Sequence, residues 1–200
     1  MSSAAQRTNN RVVPLLDAAA SQFAAKGYRE TTIRDIAKAV DMLPGSVYYH
    51  FASKQALLLA VYEEGVSRIG SHLDKALAGE SDAWRRLRKA TEAHLETILD
   101  QSDYASVMIR VLPHHVPDLE SDLIKLRSKY EDRFVELVAA LPLQEHVDRR
   151  LLRLMLLGAS NWAQIWYRTD STPVQDIATA FIDFLRLPMA AESGVESNNE

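Results

Sequence analysis

Cysteine is absent from this 200-residue chain. Its absence excludes disulfide scaffolds and Cys-ligated zinc or iron–sulfur centres, and it fits a reducing compartment. Long apolar runs are missing as well, none approaching the ~20 residues needed to cross a bilayer. The start, Met1 to Asn10, is polar and lacks the apolar centre of a secretory signal. A cytoplasmic protein with no membrane partner is therefore expected. Glycine is scarce, at seven residues, proline sits between periodic segments, and strand-like alternation is almost absent, so the pattern predicts an all-α chain. Catalytic constellations are also lacking: there is no HExxH and no glycine-rich phosphate loop. Glu63-Glu64 falls on a helix surface, and His114-His115 beside Pro113 and Pro117 reads as an exposed turn rather than a metal site. No enzymatic activity, cofactor, catalytic residue or metal ligand is expected.

What the chain does have is an apolar share of 47%, enough for a sizeable core in one or two domains. Its 23 Lys and Arg against 27 Asp and Glu give a formal charge of −4, which taken alone argues against nucleic acid. The distribution says otherwise. Residues 1–54 hold seven basic and four acidic side chains, and residues 55–200 hold sixteen and twenty-three. A small polyanion-facing module at 1–54 on a larger acidic body at 55–188 is expected, followed by a polar, aromatic-free, disordered tail at 189–200.

Helical spacing and caps divide the chain further. Val12, Leu16, Ala19, Ala20 and Phe23 recur at helical intervals and stop at Gly27, a suitable C-terminal cap. Thr32 with Asp35 resembles a capping box ahead of the stripe Ile33, Ile36, Ala37 and Val40. After a break at Asp41 to Leu43, Pro44 suits the first position of a short third helix, with Val47, Tyr48 and Phe51 as its buried side. Ser53 caps a fourth helix running to about Ala78. Further helices are predicted at 82–100, 103–112, 118–140, 145–168 and 173–187, about nine in all, punctuated by Pro113, Pro117, Pro142 and Pro173.

Three short helices with a tight break between the second and third, in the most basic part of the chain, are what a helix-turn-helix needs. The run Gly27-Tyr28-Arg29-Glu30-Thr31-Thr32-Ile33-Arg34-Asp35-Ile36-Ala37, followed by Pro44-Gly45-Ser46-Val47-Tyr48-Tyr49-His50-Phe51-Ala52-Ser53-Lys54, resembles the DNA-binding domain of the TetR family of one-component bacterial repressors. The resemblance covers about Arg11 to Glu63. It departs from the common pattern at Asp41-Met42, where a Gly and a small apolar residue are usual, and at Leu43-Pro44, where a Ser or Thr cap and a Lys often sit.

The resemblance implies that the third helix lies in the major groove of double-stranded operator DNA, about 12 Å wide, with its first residues near base edges. Gly45 and Ser46 are small enough for close approach. Tyr48 and His50 are expected on phosphates, Tyr49 on base edges or a thymine methyl, and Lys54 on the backbone. Thr32 is expected to anchor a phosphate through its hydroxyl and N–H, and Arg34, Arg7 and Arg11 to add nonspecific attraction. By residue type alone, Phe51 is a core plug, His50 an exposed or satisfied histidine, and Lys54 and Arg34 solvated charges.

The family also implies a small-molecule effector pocket in the remaining helices and a symmetric homodimer through the last two. For the dimer, the stripe Val147, Leu151, Leu154, Met155, Gly158, Trp162 and Ile165 and the stripe Val174, Ile177, Ala178, Phe181 and Leu185 are candidates, with intramolecular core as the alternative. Leu151, Met155, Gly158, Phe181 and Leu185 are the interface residues expected. For the pocket, polar and aromatic residues on apolar faces single out Tyr62, His94, Tyr104, Met108 and Tyr130. His94 could equally be a satisfied core histidine, and Met108 ordinary filler. A largely apolar ligand is expected. Asn161-Trp162-Ala163-Gln164-Ile165-Trp166-Tyr167-Arg168 resembles a segment of the subgroup that controls lipid, fatty-acid or steroid breakdown and answers to acyl-CoA thioesters. That resemblance makes Trp162 and Trp166 ligand-stacking candidates; packing in the dimer interface is their other reading.

Overall fold

A computed structural model of the chain describes residues 3–100, 102–170 and 172–186, with side chains from residue 11 onward. The tail expected at 189–200 lies outside the described residues. Among those residues the architecture is all-α: α1 (Ser3–Lys26), α2 (Ile33–Ala39), α3 (Pro44–His50), α4 (Lys54–Leu77), α5 (Ala83–Leu99), α6 (Asp103–Arg110), α7 (Glu120–Ala139), α8 (Arg149–Trp166) and α9 (Val174–Arg186). Two 3-10 turns, Pro113–His115 and Pro117–Leu119, join α6 to α7.

Local chemistry sets most of the helix ends. At Gly27 the chain turns left-handed, with φ 86°, and the Gly27 N–H donates to Phe23 O at 3.0 Å; a Cβ would make that conformation costly. Thr32 and Asp35 form the reciprocal capping box that starts α2. Ser53, Asp82, Ser102 and Asp148 cap α4, α5, α6 and α8 through their side-chain oxygens, each such cap being worth ~1 kcal/mol. The Asp148 cap starts α8 four residues later than the periodicity predicts. Similarly, the 3-10 turn at Pro117 delays α7 to Glu120, and Pro113 stops α6 at Arg110. One proline breaks the expected pattern: Pro14 lies inside α1, with its ring exposed, where it removes one backbone bond without ending the helix.

Asp41, in the turn between α2 and α3, is the one non-glycine residue with positive φ (51°) among the described residues. It occupies the place where glycine is usual in the family. Aspartate tolerates that region better than most residues because its short carboxylate can bond locally. Next to it, Leu43 is the N-cap of α3 but supplies no side-chain hydrogen bond.

An apolar cluster runs from Leu15 on α1 through Tyr62 on α4, Leu87 on α5 and Phe134 on α7 to Ile182 on α9. Burying an aromatic such as Phe134 contributes ~2–3 kcal/mol. A smaller cluster of Leu95, Ala163, Ile177 and Ala178 joins α5 to α8 and α9. α5 is central, packing against α4, α7, α8 and α9. In the small module, Val47 is the fully buried residue of α3, joining Ile33, Ile36 and Ala37, with Phe51 packed partly against them. Tyr48 is 53% exposed, which corrects its expected place on the buried side. A helix of seven residues offers the core little more than one inward position.

Candidate DNA-reading surface and ligand cavity

α3 stands at the surface with its outer face free of packing. Tyr49 is 80% exposed, Gly45 is exposed, and the Tyr49 ring meets His50 edge-on at 5.3 Å. Arg34 on α2 is also exposed, while Ser46 and His50 are half-buried. Gly45 and Ser46 lie at the start of α3, where small residues let another molecule come close, and Tyr49 and His50 lie at its end.

Two expected phosphate contacts are already occupied. Lys54 Nζ donates to the carbonyls of Tyr28 (2.9 Å), Arg29 (3.2 Å) and Thr31 (2.9 Å), and it lies 4.5 Å from the Tyr28 ring centroid. An ammonium has three protons, so this lysine ties the α1–α2 loop to the start of α4 instead of presenting a free cation. Thr32 is likewise committed to Asp35: its N–H and hydroxyl donate to Oδ2 at 2.9 and 2.7 Å, and its oxygen accepts from the Asp35 N–H at 3.2 Å. The Thr32 hydroxyl, the Thr32 N–H and Lys26 lower the Asp35 carboxyl to about 2. Neighbouring Thr31, fully buried, donates to both Gln22 O and Gly27 O and fastens α1 to the loop.

In the larger body two adjoining cavities open between α4, α5, α6, α7 and α8. The outer one, about 420 Å³, is lined by Gly65, Arg68, His72, Glu96 and Tyr104 among others. The inner one, about 260 Å³, has walls of Ile98, Ile109, Leu112 and Leu157, with His94, Thr97, Arg127, Tyr130, Glu131, Asn161 and Gln164 as its polar members. Met108 lines both. Its sulfur would sit 2.7 Å from a Cβ at position 65, so Gly65 in α4 gives that side chain its present place, and a larger residue there would make the flexible Met108 shift.

His94 is buried between two partners, with Nδ1 3.0 Å from the Tyr130 hydroxyl and Nε2 3.1 Å from Asn161 Oδ1. A neutral ring suits both contacts, Tyr130 donating to Nδ1 and the Nε2 proton going to Asn161. Burial is the main cause that lowers the His94 pKa to about 4, against a smaller opposing effect of the Asn161 bond. Burial also raises the Tyr130 phenol above its ordinary range, so it stays a donor.

Of the expected ligand residues, His94, Met108 and Tyr130 line the inner cavity and Tyr104 the outer. Tyr62 does neither: it is fully buried, its hydroxyl donating to Met108 O at 3.2 Å and accepting from Arg127 Nη1 at 2.9 Å. Trp162 and Trp166 also line neither cavity; Trp162 is 63% exposed on the outer face of α8. Arg127 is missing from the sequence-based candidates, although it stands between Leu123 and Tyr130 on the apolar stripe of α7. A charged residue at such a position is the available signal. Asn161 and Gln164 carry no comparable signal, because they face the cavity from a helix that is apolar on two sides.

That second apolar side of α8 is uncovered. Leu151, Leu154, Met155, Trp162 and Ile165 are exposed, and a Cβ on Gly158 would meet nothing. On α9 the expected pair divides differently: Phe181 and Leu185 pack against the core, while Phe184, between them in sequence, is 70% exposed. Phe181 and Leu185 follow the inward stripe, and the turn of the helix brings Phe184 to the opposite side.

The small module is connected to the cavities through α6. Tyr104 donates to Asp17 on α1, and Arg110 Nη1 donates to Ala24 O at 3.0 Å.

A three-helix helix-turn-helix unit carried on a helical bundle with internal cavities defines a helix-turn-helix regulator. Residues 15–61 match the profile of bacterial regulatory proteins of the tetR family, and residues 80–188 that of the tetracyclin repressor-like C-terminal domain; the chain belongs to the tetR family. It is 25% identical over 187 residues to the HTH-type transcriptional repressor KstR2 of Rhodococcus jostii (strain RHA1), covering 88% of this chain and 90% of that one. Against KstR2 of Mycobacterium tuberculosis (strain ATCC 25618 / H37Rv) the identity is 47% over 58 residues, so the match spans 29% of either chain. Among solved structures, superantigen PfiT gives a TM-score of 0.76 at 27% identity, covering 85% of this chain and 93% of that one. AibR in complex with isovaleryl coenzyme A and operator DNA gives 0.72 at 20% identity, covering 87% and 97%, a likeness of fold. No helix among the described residues is long and apolar enough to cross a membrane.

Proposed function

We propose that the protein is a homodimeric transcriptional repressor that leaves a two-fold operator when a largely apolar small molecule occupies the inner cavity. The observation that carries this reading is the outward face of α3, where Tyr49, Gly45 and Tyr48 are exposed while Val47 alone anchors the helix. A monomeric soluble domain has little reason to leave two tyrosines and Leu43, 76% exposed, on a short helix beside exposed Arg34. Gly45, Ser46, Tyr48, Tyr49, His50 and Arg34 are the DNA-contacting set, with Lys54 and Thr32 holding the module in shape. Residues 1–54 form the reading module and residues 55–188 the effector and dimer body.

Two-fold operators require a two-fold protein, and the uncovered face of Leu151, Met155, Gly158, Trp162 and Phe184 is the surface available for a second copy. The effector acts by binding better to the dimer whose α3 helices are wrongly spaced for major grooves about 34 Å apart. Acyl-CoA thioesters are one candidate class, since AibR, which shares the fold, binds isovaleryl coenzyme A.

Fluorescence anisotropy with a duplex from the region upstream of the protein's own gene tests the DNA assignment. Tyr49→Ala should weaken binding at least tenfold, and wild-type affinity in that variant would overturn it. Light scattering tests the dimer: Trp162→Glu should give a monomer, and a dimer of unchanged stability would remove this face from consideration.

A further inference from the structure

Arg127 stands apart from the other cations around the cavities. Arg68 pairs with Asp17 and Glu64, Arg133 with Asp74, and Arg153 with Glu131. Arg127 has no carboxylate within ion-pair distance among the described residues. Its hydrogen bonds run from Nη1 alone, to the Tyr62 hydroxyl at 2.9 Å and Met108 O at 3.2 Å, and both acceptors are neutral. Nε and Nη2 have no partner among the described residues.

The obvious neutraliser is one helical turn away. Glu131 lies four residues after Arg127 on α7 and lines the same cavity, a spacing at which such charges ordinarily attract. It turns instead to α8, where its Oε2 lies 3.3 Å from Arg153 Nη1. In the cavity wall the Glu131 carboxylate is thus matched by Arg153 from outside the lining, while the Arg127 guanidinium has no ion-pair partner among the described residues. Removing a cation from bulk water with only neutral partners is unfavourable, and a planar fork with free N–H groups is the geometry that a carboxylate fits. His94 does not compete for such a group, since both its ring nitrogens are engaged. The apolar part of the lining, Ile69, Ile98, Ile109, Leu112 and Leu157, suits an apolar body.

We propose that the inner cavity takes an apolar monocarboxylate whose charge is balanced by Arg127. The proposal rests on the reading of this cavity as the effector site and narrows it, because a free acid would place its charge beside Arg127 while an acyl-CoA thioester would place a neutral carbonyl there.

Calorimetric titration of the full-length protein at neutral pH with octanoate, octan-1-ol and octanoyl-CoA tests it. Octanoate should bind at least tenfold more tightly than the alcohol, a comparison that needs no variant. R127M should abolish the preference for the acid while still binding the alcohol. R153M leaves Arg127 in place but frees Glu131 to pair with it, and should weaken octanoate binding about as much. Equal affinities for acid and alcohol in the wild-type protein, an undiminished preference in R127M, or binding of octanoyl-CoA without binding of octanoate would each overturn the proposal. If octanoate binds as stated but leaves affinity for the operator duplex unchanged, the Arg127 assignment stands and the effector reading falls.

Discussion

The Tyr104 hydroxyl on α6 donates to Asp17 Oδ1 on α1 at 2.9 Å, so the wall of the outer cavity and the first helix of the DNA-reading module share one hydrogen bond. The same carboxylate receives Arg68 Nη2 from α4 at 3.2 Å, and the Arg68 guanidinium lies 4.1 Å from the centre of the Tyr104 ring. Burial, and then the Asp17 bond, push the Tyr104 phenol well above its ordinary range, so it stays a donor. Tyr104→Phe removes that donor without changing the ring. Because Asp17 is half exposed, the expected loss is ~1 kcal/mol. Urea denaturation measures it, and a midpoint identical to wild type would show that the bond does not join the two parts energetically.

Lys54 and Arg34 distinguish a structural cation from a proposed DNA contact. Lys54→Met removes three bonds to backbone carbonyls, and the module should lose ~2 kcal/mol of stability. Its operator affinity should fall through misfolding of the loop, while the dependence of log K on log salt keeps its slope. Arg34→Ala, by contrast, should leave stability alone and reduce that slope by ~1. A lower slope for Lys54→Met would return this lysine to the phosphate contacts.

His94 makes stability depend on pH in a definite direction. The unfolded chain takes up the proton near the ordinary value of 6.5, whereas the native ring resists it until about 4. Its contribution is therefore complete above pH 6.5 and is lost progressively as the pH falls toward 4, by about 2 kcal/mol at pH 5. His94→Gln keeps polar atoms at the site but cannot titrate. The drop in unfolding free energy between pH 7 and pH 5 should be smaller in that variant, and equal drops would mean that the native ring is protonated like an exposed one.

The turn between α2 and α3 can be improved. Leu43 is an exposed N-cap without a side-chain acceptor, so Leu43→Ser should add ~1 kcal/mol and cost little burial. Asp41→Gly should add ~0.5–1 kcal/mol by relieving the left-handed conformation. Thermal denaturation of the two variants and their double checks both; a lower melting temperature for Leu43→Ser would indicate that the leucine itself packs against something.

Much of this protein was legible in one dimension because the relevant interactions are local. Thr32 with Asp35, and Ser53 with the N–H of Ala56, act over three residues, and Gly27, Pro113 and Pro117 act on their own backbone. Helix type, helix order and the helix-turn-helix unit follow from such short-range rules. Periodicity also announces that a helix has an apolar face, but not what covers that face. On α8 the stripe read from the sequence is the uncovered side, and on α9 it is the buried one, so Phe184 was hidden behind Phe181 and Leu185.

Only the tertiary structure decided the partners of long charged side chains. Lys54, expected on a phosphate, finds its carbonyls 23 to 26 residues back along the chain. Glu131, one helical turn from Arg127, pairs instead with Arg153 on the neighbouring helix. Flexible charged groups choose among whatever partners packing brings within reach, and spacing along one helix fixes only the nearest of these.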